Sequence, residues 1–229
     1  MAERVTFASN GGSCGGLFAV PESGRGPGVV VIQEWWGLVP HIENVVDRFA
    51  EAGFVALAPD LFHGAKTGEP DEAMRMMMAL AMDPAAKDIA GAARFLFECD
   101  PTNGNGIGAV GFCMGGSLAL WSATLAPQLT AAVGFYPALP WDRMSPHWPN
   151  YAGKAAMIHC SEEDGTSAAA GIQQAKEAIE EAGGTVQLFD YPGTKHAFFN
   201  DDRPEVYNAA AAAEAWERTT TFLFDRLAN

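Results

Sequence analysis

The chain has 229 residues, enough to bury a large core in one α/β domain, so we expect a single domain over residues 1–229. It carries 28 acidic residues against 14 basic residues, which gives a formal net charge of −14 at pH 7. Phosphate backbones and anionic lipids would be repelled by this charge, so nucleic acid and membrane surfaces are not expected as partners.

Strand patterns and helix patterns alternate along the chain. Short strand signals at 4–7 and 17–20 flank a glycine-rich turn and predict an opening antiparallel hairpin. The later strands read as continuous apolar runs, typical of strands covered on both faces, and are predicted at 28–33, 54–58, 107–110, 131–135, 155–159 and 186–191. Helices are predicted at 42–52, 71–81, 84–97 with Asp83 as N-cap, after residue 113, and at 172–182 and 204–227. The alternation predicts an α/β fold with a mostly parallel sheet of about seven or eight strands and helices on both faces.

Residues 61–83 interrupt this alternation. The segment begins as a loop with glycines and a proline and continues into a methionine-rich helix pattern. Methionines at helical spacing are most often adaptable packing residues, but the same adaptability suits a surface that faces substrate. We therefore consider 61–83 a candidate mobile lid.

The cysteines indicate a reducing compartment. They lie far apart with no C-x-x-C pair, which predicts neither a zinc site nor a disulfide framework; they are Cys14, Cys99, Cys113 and Cys160. The first seven residues contain no apolar signal core. We therefore expect a cytoplasmic protein with reduced thiols.

The stretch Gly111-Phe112-Cys113-Met114-Gly115 has the spacing of a nucleophile elbow, with sulfur in place of the usual hydroxyl. A side chain on such a sharp strand-to-helix turn projects from the backbone, and the helix N-terminus beneath it favours a thiolate. A lone cysteine in an apolar run is usually a core residue. The flanking glycines, the strand before them and the helix pattern after them favour the catalytic interpretation.

Five histidines compete for the role of the base that a nucleophilic cysteine needs. His159 lies within an apolar strand and His147 lies among prolines, so both are interpreted as structural. His41 and His63 lie in loops and remain alternatives. His196 follows the last strand on a glycine-bearing loop, where the chain order of nucleophile, acid and histidine requires the base.

The acid of such a triad is predicted in the loop after the strand that ends near residue 160. Asp164 lies between the nucleophile and the histidine in sequence, and Glu162 and Glu163 compete with it. The spacing selects this loop but not one residue within it.

Four motifs together resemble the dienelactone hydrolases, the carboxymethylenebutenolidase-like family of the α/β-hydrolase superfamily. They are 33–37 (QEWWG), 111–116 (GFCMGG), the acid loop at Asp164, and 193–198 (GTKHAF). The resemblance spans nearly the whole chain in the right order. It implies a cytosolic α/β-hydrolase fold and a cofactor-free, metal-free enzyme with a Cys-His-Asp triad that acts on a small ester or lactone. It also favours Asp164 over its neighbours, because the acid motif of the family maps onto 161–164.

The resemblance implies a further role for Glu34, whose carboxylate would lie beside the thiol and help to generate the thiolate. The alternative is a structural role in which Glu34 only caps or pairs with a loop arginine. The oxyanion hole is expected to use the backbone N–H groups of Met114 and Trp35, and Trp36 would form part of the pocket wall.

The substrate-binding residues differ from the family pattern. Typical members hold a substrate carboxylate with two arginines, one of them four residues after the catalytic histidine, and here that position is Asn200. Arg75 on the methionine-rich helix is a candidate for the other arginine, and Arg203 could replace the missing one. Phe199, beside the histidine motif, is a further candidate for substrate contact.

The sequence therefore predicts an esterase or lactonase that forms an acyl-cysteine on Cys113, acts on a small-molecule substrate and exists as a monomer or small homo-oligomer. The alternative from another class is a non-catalytic ligand-binding or thiol redox protein on the same fold. A serine hydrolase using Ser117 or Ser122 is disfavoured because neither serine lies at the elbow.

Overall fold

An eight-stranded sheet forms the centre of the computed structural model, which describes residues 1–138 and 140–228. The strands are β1 Glu3–Ser9, β2 Gly12–Ala19, β3 Gly26–Ile32, β4 Val55–Pro59, β5 Thr102–Phe112, β6 Leu129–Phe135, β7 Ala155–Ser161 and β8 Thr185–Tyr191. Their order across the sheet is β1-β2-β4-β3-β5-β6-β7-β8. Only the pairs β1–β2 and β2–β4 are antiparallel, which confirms the predicted α/β fold with a mostly parallel sheet.

The opening hairpin forms as predicted because its turn suits the twist of the strands. Asn10 and Gly11 connect β1 to β2 with φ angles of 48° and 75°. A two-residue hairpin loop with positive φ at both positions matches the right-handed twist of the strands that it joins, and asparagine followed by glycine tolerates that conformation best.

The described residues form six α-helices, five of which cover the two faces of the sheet. They are α1 Pro40–Glu51, α2 Pro70–Ala79, α3 Met82–Glu98, α4 Met114–Ser122, α5 Gly165–Glu181 and α6 Ala209–Leu227. Apolar side chains of α1 and α6 pack into one core, and those of α3, α4 and α5 pack into the core on the other side. Buried strands such as β3, in which every residue is buried, lie between the two cores.

Three predicted helix boundaries were wrong. Helix α3 begins at Met82, so Asp83 lies inside its first turn and is not the N-cap. Helix α5 begins at Gly165, earlier than predicted. The prediction began at 172 because the residues before it are small and show no apolar period. Helix α6 begins only at Ala209, where the Asn208 side chain accepts a hydrogen bond from the Ala211 N–H at 3.1 Å. The predicted start at 204 overlooked this cap.

The segment 61–83 contains a turn, helix α2 and the start of α3. Met74 and Met78 are exposed, with exposed fractions of 46% and 60%, whereas Ala73 is buried. The motion of this segment as a lid stays a prediction. Among the described residues, no helix combines the length and apolar character needed to cross a bilayer.

Candidate active site

The polar groups singled out in the sequence lie just after the carboxyl ends of parallel strands. Glu34 follows β3, Cys113 follows β5, Asp164 follows β7 and His196 follows β8. Because these strands are parallel, their carboxyl ends meet at one edge of the sheet, which is where open α/β sheets bind ligands. The fold thus gathers four distant parts of the chain at one site.

Cys113 occupies a sharp turn between β5 and α4. Its backbone has φ 56° and ψ −120°, a conformation that a residue with a Cβ rarely adopts and that costs on the order of 1–3 kcal/mol. The two glycines of the motif make the turn possible. A Cβ on Gly111 would lie 1.9 Å from the carbonyl oxygen of Gly115, and a Cβ on Gly115 would lie 2.4 Å from that of Gln33. The elbow predicted from the sequence is therefore present in the backbone.

The imidazole of His196 lies between Cys113 and Asp164. Its Nδ1 is 2.5 Å from Oδ1 of Asp164, and it lines the same cavity as Cys113, close enough for that side chain to affect its pKa. Burial alone would lower the pKa of His196, but the hydrogen bonds and negative charges of Asp164 and Cys113 outweigh burial and raise it to about 10. The geometry therefore favours a protonated imidazole between Asp164 and Cys113.

The three adjacent acids of the loop after β7 have different partners. Asp164 faces the imidazole and accepts a second hydrogen bond from Ser161 Oγ at 2.5 Å. Glu163 accepts from the backbone N–H of His196 at 2.9 Å, and Glu162 accepts from that of Gly193 at 2.5 Å. The two glutamates therefore hold the histidine loop in place, and only Asp164 contacts the imidazole ring.

Glu34 is buried at the end of β3 and has neutral partners. Asn200 Nδ2 donates to Oε2 at 2.8 Å, and the Tyr136 hydroxyl donates to Oε1 at 3.4 Å. Burial, the charge of Glu34 and the charge of Cys113 hold the pKa of Tyr136 well above its usual value, so the hydroxyl remains a donor. A buried carboxylate is costly unless it is hydrogen-bonded, and these two donors meet that need.

Sequence reasoning missed Tyr136. The residue directly follows β6, its ring centroid lies 5.0 Å from that of His196, and its side chain is fully buried. Its position in the sequence could have identified it. A polar side chain that directly follows a buried parallel strand lies at the same edge of the sheet as the other site residues.

A small cavity of about 190 Å³ opens beside Cys113. The rings of Trp35 and Trp36 meet edge to face at 4.9 Å and form an apolar wall. The residues that line the cavity are Glu34, Trp35, Trp36, Met77, Cys113, Ala138, His196, Ala197 and Arg203. Its size and apolar walls suit a small organic molecule with its reactive group toward the sulfur.

Two residues that were predicted to bind substrate lie outside the cavity wall, whereas Arg203 lies in it. Arg75 is on the exposed face of α2, because the helix turns Met77 toward the cavity instead. Phe199 is fully buried and stacks on Phe112 at 5.3 Å, so it is a core residue. Arg203 is the only arginine or lysine among the described residues of the cavity wall, and its guanidinium carbon lies 5.6 Å from the centre of the Trp36 ring.

The histidines that competed for the role of the base have different partners in the structure. His41 is buried and pairs with Asp201 at 2.9 Å through Nδ1. His159 is a core residue bonded to the hydroxyls of Tyr191 and Thr219, both at 2.9 Å, and burial lowers its pKa to about 3. His196 is the histidine that reaches Cys113.

The dienelactone hydrolase family model matches residues 14–227. "Protein usf" of Aquifex pyrophilus is 34% identical over 99% of this chain and 100% of its own length. A protein of Aquifex aeolicus named "Putative carboxymethylenebutenolidase" is 32% identical over 97% of each chain. Among solved structures, the "Putative Dienelactone Hydrolase" of Klebsiella pneumoniae superposes with a TM-score of 0.84 at 22% identity and covers 97% of this chain and 98% of that one.

Proposed function

This chain belongs to the dienelactone hydrolase family, and from that membership we propose that it hydrolyses small carboxylic esters or lactones through an acyl-cysteine on Cys113. The observation that carries the proposal is that Cys113 and His196 line one apolar cavity while the imidazole of His196 binds Asp164. A nucleophile, a base within hydrogen-bond reach and a group that orients the base are the parts that nucleophilic catalysis requires.

In the first half-reaction, the Cys113 sulfur attacks the carbonyl carbon of the substrate as a thiolate while His196 is protonated. Glu34 holds the thiol proton and returns it to the sulfur after the acid product departs. The carbonyl electron pair moves to oxygen and then returns as the bond to the leaving alkoxide breaks. The alkoxide takes the proton from His196, and in a lactone it stays attached to the acyl group. A thioester between Cys113 and the acyl part of the substrate remains.

In the second half-reaction, neutral His196 takes a proton from water as the water oxygen attacks the thioester. The sulfur leaves as thiolate, the acid departs, and His196 is again protonated. Asp164 does not take the proton; it orients the ring and stabilises the imidazolium. The net reaction converts one ester and one water into one acid and one alcohol.

The oxyanion formed in both steps needs donors that are already in place. We assign the backbone N–H groups of Met114 and Trp35 to this role. Met114 directly follows Cys113 at the N-terminus of α4, where the helix dipole favours negative charge, and Trp35 lines the same cavity.

Glu34 and Arg203 divide the remaining roles. Glu34 receives hydrogen bonds from neutral donors and lines the same cavity as the thiol of Cys113. It accepts the thiol proton when substrate binds. The alternative is that Glu34 only links the end of β3 to the loop after β8. Arg203 offers a positive charge to a substrate carboxylate at the cavity wall, in place of the arginine that the family pattern has at Asn200.

Mass spectrometry of the protein mixed with activated aryl esters and lactones tests this function. We expect the mass of the acyl group to appear on Cys113 and turnover to vanish in Cys113→Ala. The matched control is Cys99→Ser, which removes a half-buried thiol at the end of α3 and should leave turnover intact. A reactive Cys113 that is oxidised but never acylated by any ester would favour the thiol redox alternative, and unchanged turnover of Cys113→Ala would refute the proposal.

A further inference from the structure

A second group of chemically reactive side chains lies apart from the cavity just described. It consists of Cys14 on β2, His63 in the loop after β4 and Asp88 on α3, and we call it the Cys14 cluster. One ligand atom from each of the three residues lies within 4.8 Å of the other two. The sequence gives no sign of this group, because its first two members lie 49 positions apart and its last two lie 25 positions apart.

The neighbours of the cluster orient its donor atoms. Ser9 Oγ donates a short hydrogen bond to Asp88 Oδ1, which leaves Oδ2 beside His63 Nε2 at 3.4 Å. The sulfur of Cys14 lies within hydrogen-bond distance of two carbonyl oxygens, that of Gly15 at 3.2 Å and that of Asp60 at 3.8 Å, and its single S–H donates to one or is shared between them. Sulfur, nitrogen and carboxylate oxygen therefore face one small volume from three different elements.

We infer that Cys14, His63 and Asp88 form a binding site for Zn²⁺, with water completing the coordination. Thiolate, imidazole and carboxylate are the three protein ligands that zinc prefers, whereas Mg²⁺ and Ca²⁺ take oxygen ligands and disfavour sulfur. This inference does not depend on the proposed hydrolase function, since none of the three residues lines the cavity at Cys113.

The distances suit a tetrahedral ion. Zinc bonds of about 2.0–2.3 Å place neighbouring ligand atoms roughly 3.3–3.7 Å apart. The separation of His63 and Asp88 already has this value, and the sulfur lies within reach of a small side-chain adjustment. The side chain of His63 is 59% exposed, which gives an ion a path from solvent.

Charge also favours a cation at this place. The carboxylate of Asp88 is 4% exposed, and His63 is its only ion-pair partner among the described residues. A buried carboxylate beside a thiol is stabilised by positive charge, and a neutral imidazole provides none. A divalent ion would supply that charge and convert the thiol to a coordinated thiolate, with release of its proton.

A bound ion would join β2, the loop after β4 and α3. His63 lies near the start of segment 61–83, so the ion would fix the base of the candidate lid and leave Cys113 untouched. Because binding to the folded state alone stabilises it, we expect the melting temperature to rise with Zn²⁺ concentration.

Cobalt and zinc titrations of reduced Cys113→Ala protein test the site without interference from the active-site thiol. We expect one Co²⁺ per chain with a thiolate-to-cobalt charge-transfer band, displacement by Zn²⁺, and a higher melting temperature. His63→Ala removes an exposed ligand with little risk to folding, and it should weaken binding at least about tenfold. Cys14→Ala should abolish the charge-transfer band.

Cys160→Ser in the same background is the matched control, because it removes a half-buried thiol outside the cluster and should leave binding unchanged. The inference is overturned if Zn²⁺ binds more weakly than about 1 mM. It is also overturned if His63→Ala binds as tightly as its parent, or if Cys160→Ser loses the band.

Discussion

Asn200 donates a hydrogen bond to Glu34 across 2.8 Å, joining the loop after β8 to the end of β3 inside the site. Both side chains are buried, with 2% and 1% of their surface exposed. The bond contributes to the stability of the site, because it gives a buried acidic side chain a neutral hydrogen-bond donor.

Asn200→Ala should destabilise the protein by about 1–3 kcal/mol, since it leaves one oxygen of Glu34 without its donor. Urea unfolding at neutral pH measures the loss. In the Glu34→Gln background, the same substitution should lower the free energy of unfolding by less, because a buried neutral amide needs a hydrogen-bond donor less than a buried carboxylate does. Equal costs in the two backgrounds would show that the bond has no specific relation to the charge.

Glu34→Gln should slow formation of the acyl-enzyme more than it weakens substrate binding. The amide keeps the shape of the side chain but cannot accept a proton from the thiol. Stopped-flow measurement of the burst with an activated ester separates the acylation rate from the binding constant. If both stay at the parental values, Glu34 has only a structural role.

Asp164→Asn should lower the pKa of His196, which is raised to about 10 in the parent. NMR titration of the histidine ring protons measures the change directly. In the unfolded chain, the histidine has its ordinary pKa of 6.5. The contribution of His196 to the free energy of unfolding is therefore fully present below about pH 6.5 and is lost as the pH rises through about 10. The variant should therefore lose less stability between these pH values than the parent does, as urea unfolding can check.

Gly115→Ala should destabilise the fold by at least about 1–3 kcal/mol, because its Cβ would lie 2.4 Å from the carbonyl oxygen of Gln33. Gly68→Ala is the matched control, since no atom lies within 4 Å of the added Cβ there. Thermal unfolding compares the two. A Gly115→Ala protein as stable as the control would contradict the tight elbow.

Arg203→Ala should reduce kcat/KM for an ester that bears a carboxylate by about two- to fivefold, a modest effect because the guanidinium is partly exposed and pairs with Glu205 at 2.8 Å. A neutral ester of the same size should be affected less. Arg75→Ala removes an arginine from the exposed face of α2 and is the control for overall charge. An equal loss for charged and neutral esters would remove Arg203 from the substrate-binding residues.

Features that depend on neighbouring residues were predictable. The elbow is one, because the turn at Cys113 is fixed by glycines two residues away on each side, and the spacing is visible in the sequence. The buried strands and the hairpin turn at Asn10 and Gly11 are others, since hydrophobic runs and turn residues act locally. Helix ends were less predictable, because Asn208 begins α6 through one side-chain contact that leaves little pattern.

The sequence by itself determined the α/β fold, the position of the elbow and the loop that carries the acid. Only the tertiary structure decided that Asp164 contacts the imidazole while Glu162 and Glu163 bind backbone amides. It also placed Arg203 at the cavity, Arg75 on the surface and Phe199 in the core. The reason is physical: backbone conformation follows from short-range sterics and hydrophobic period, whereas the partner of a side chain depends on elements that are distant in sequence and meet only when the sheet is assembled.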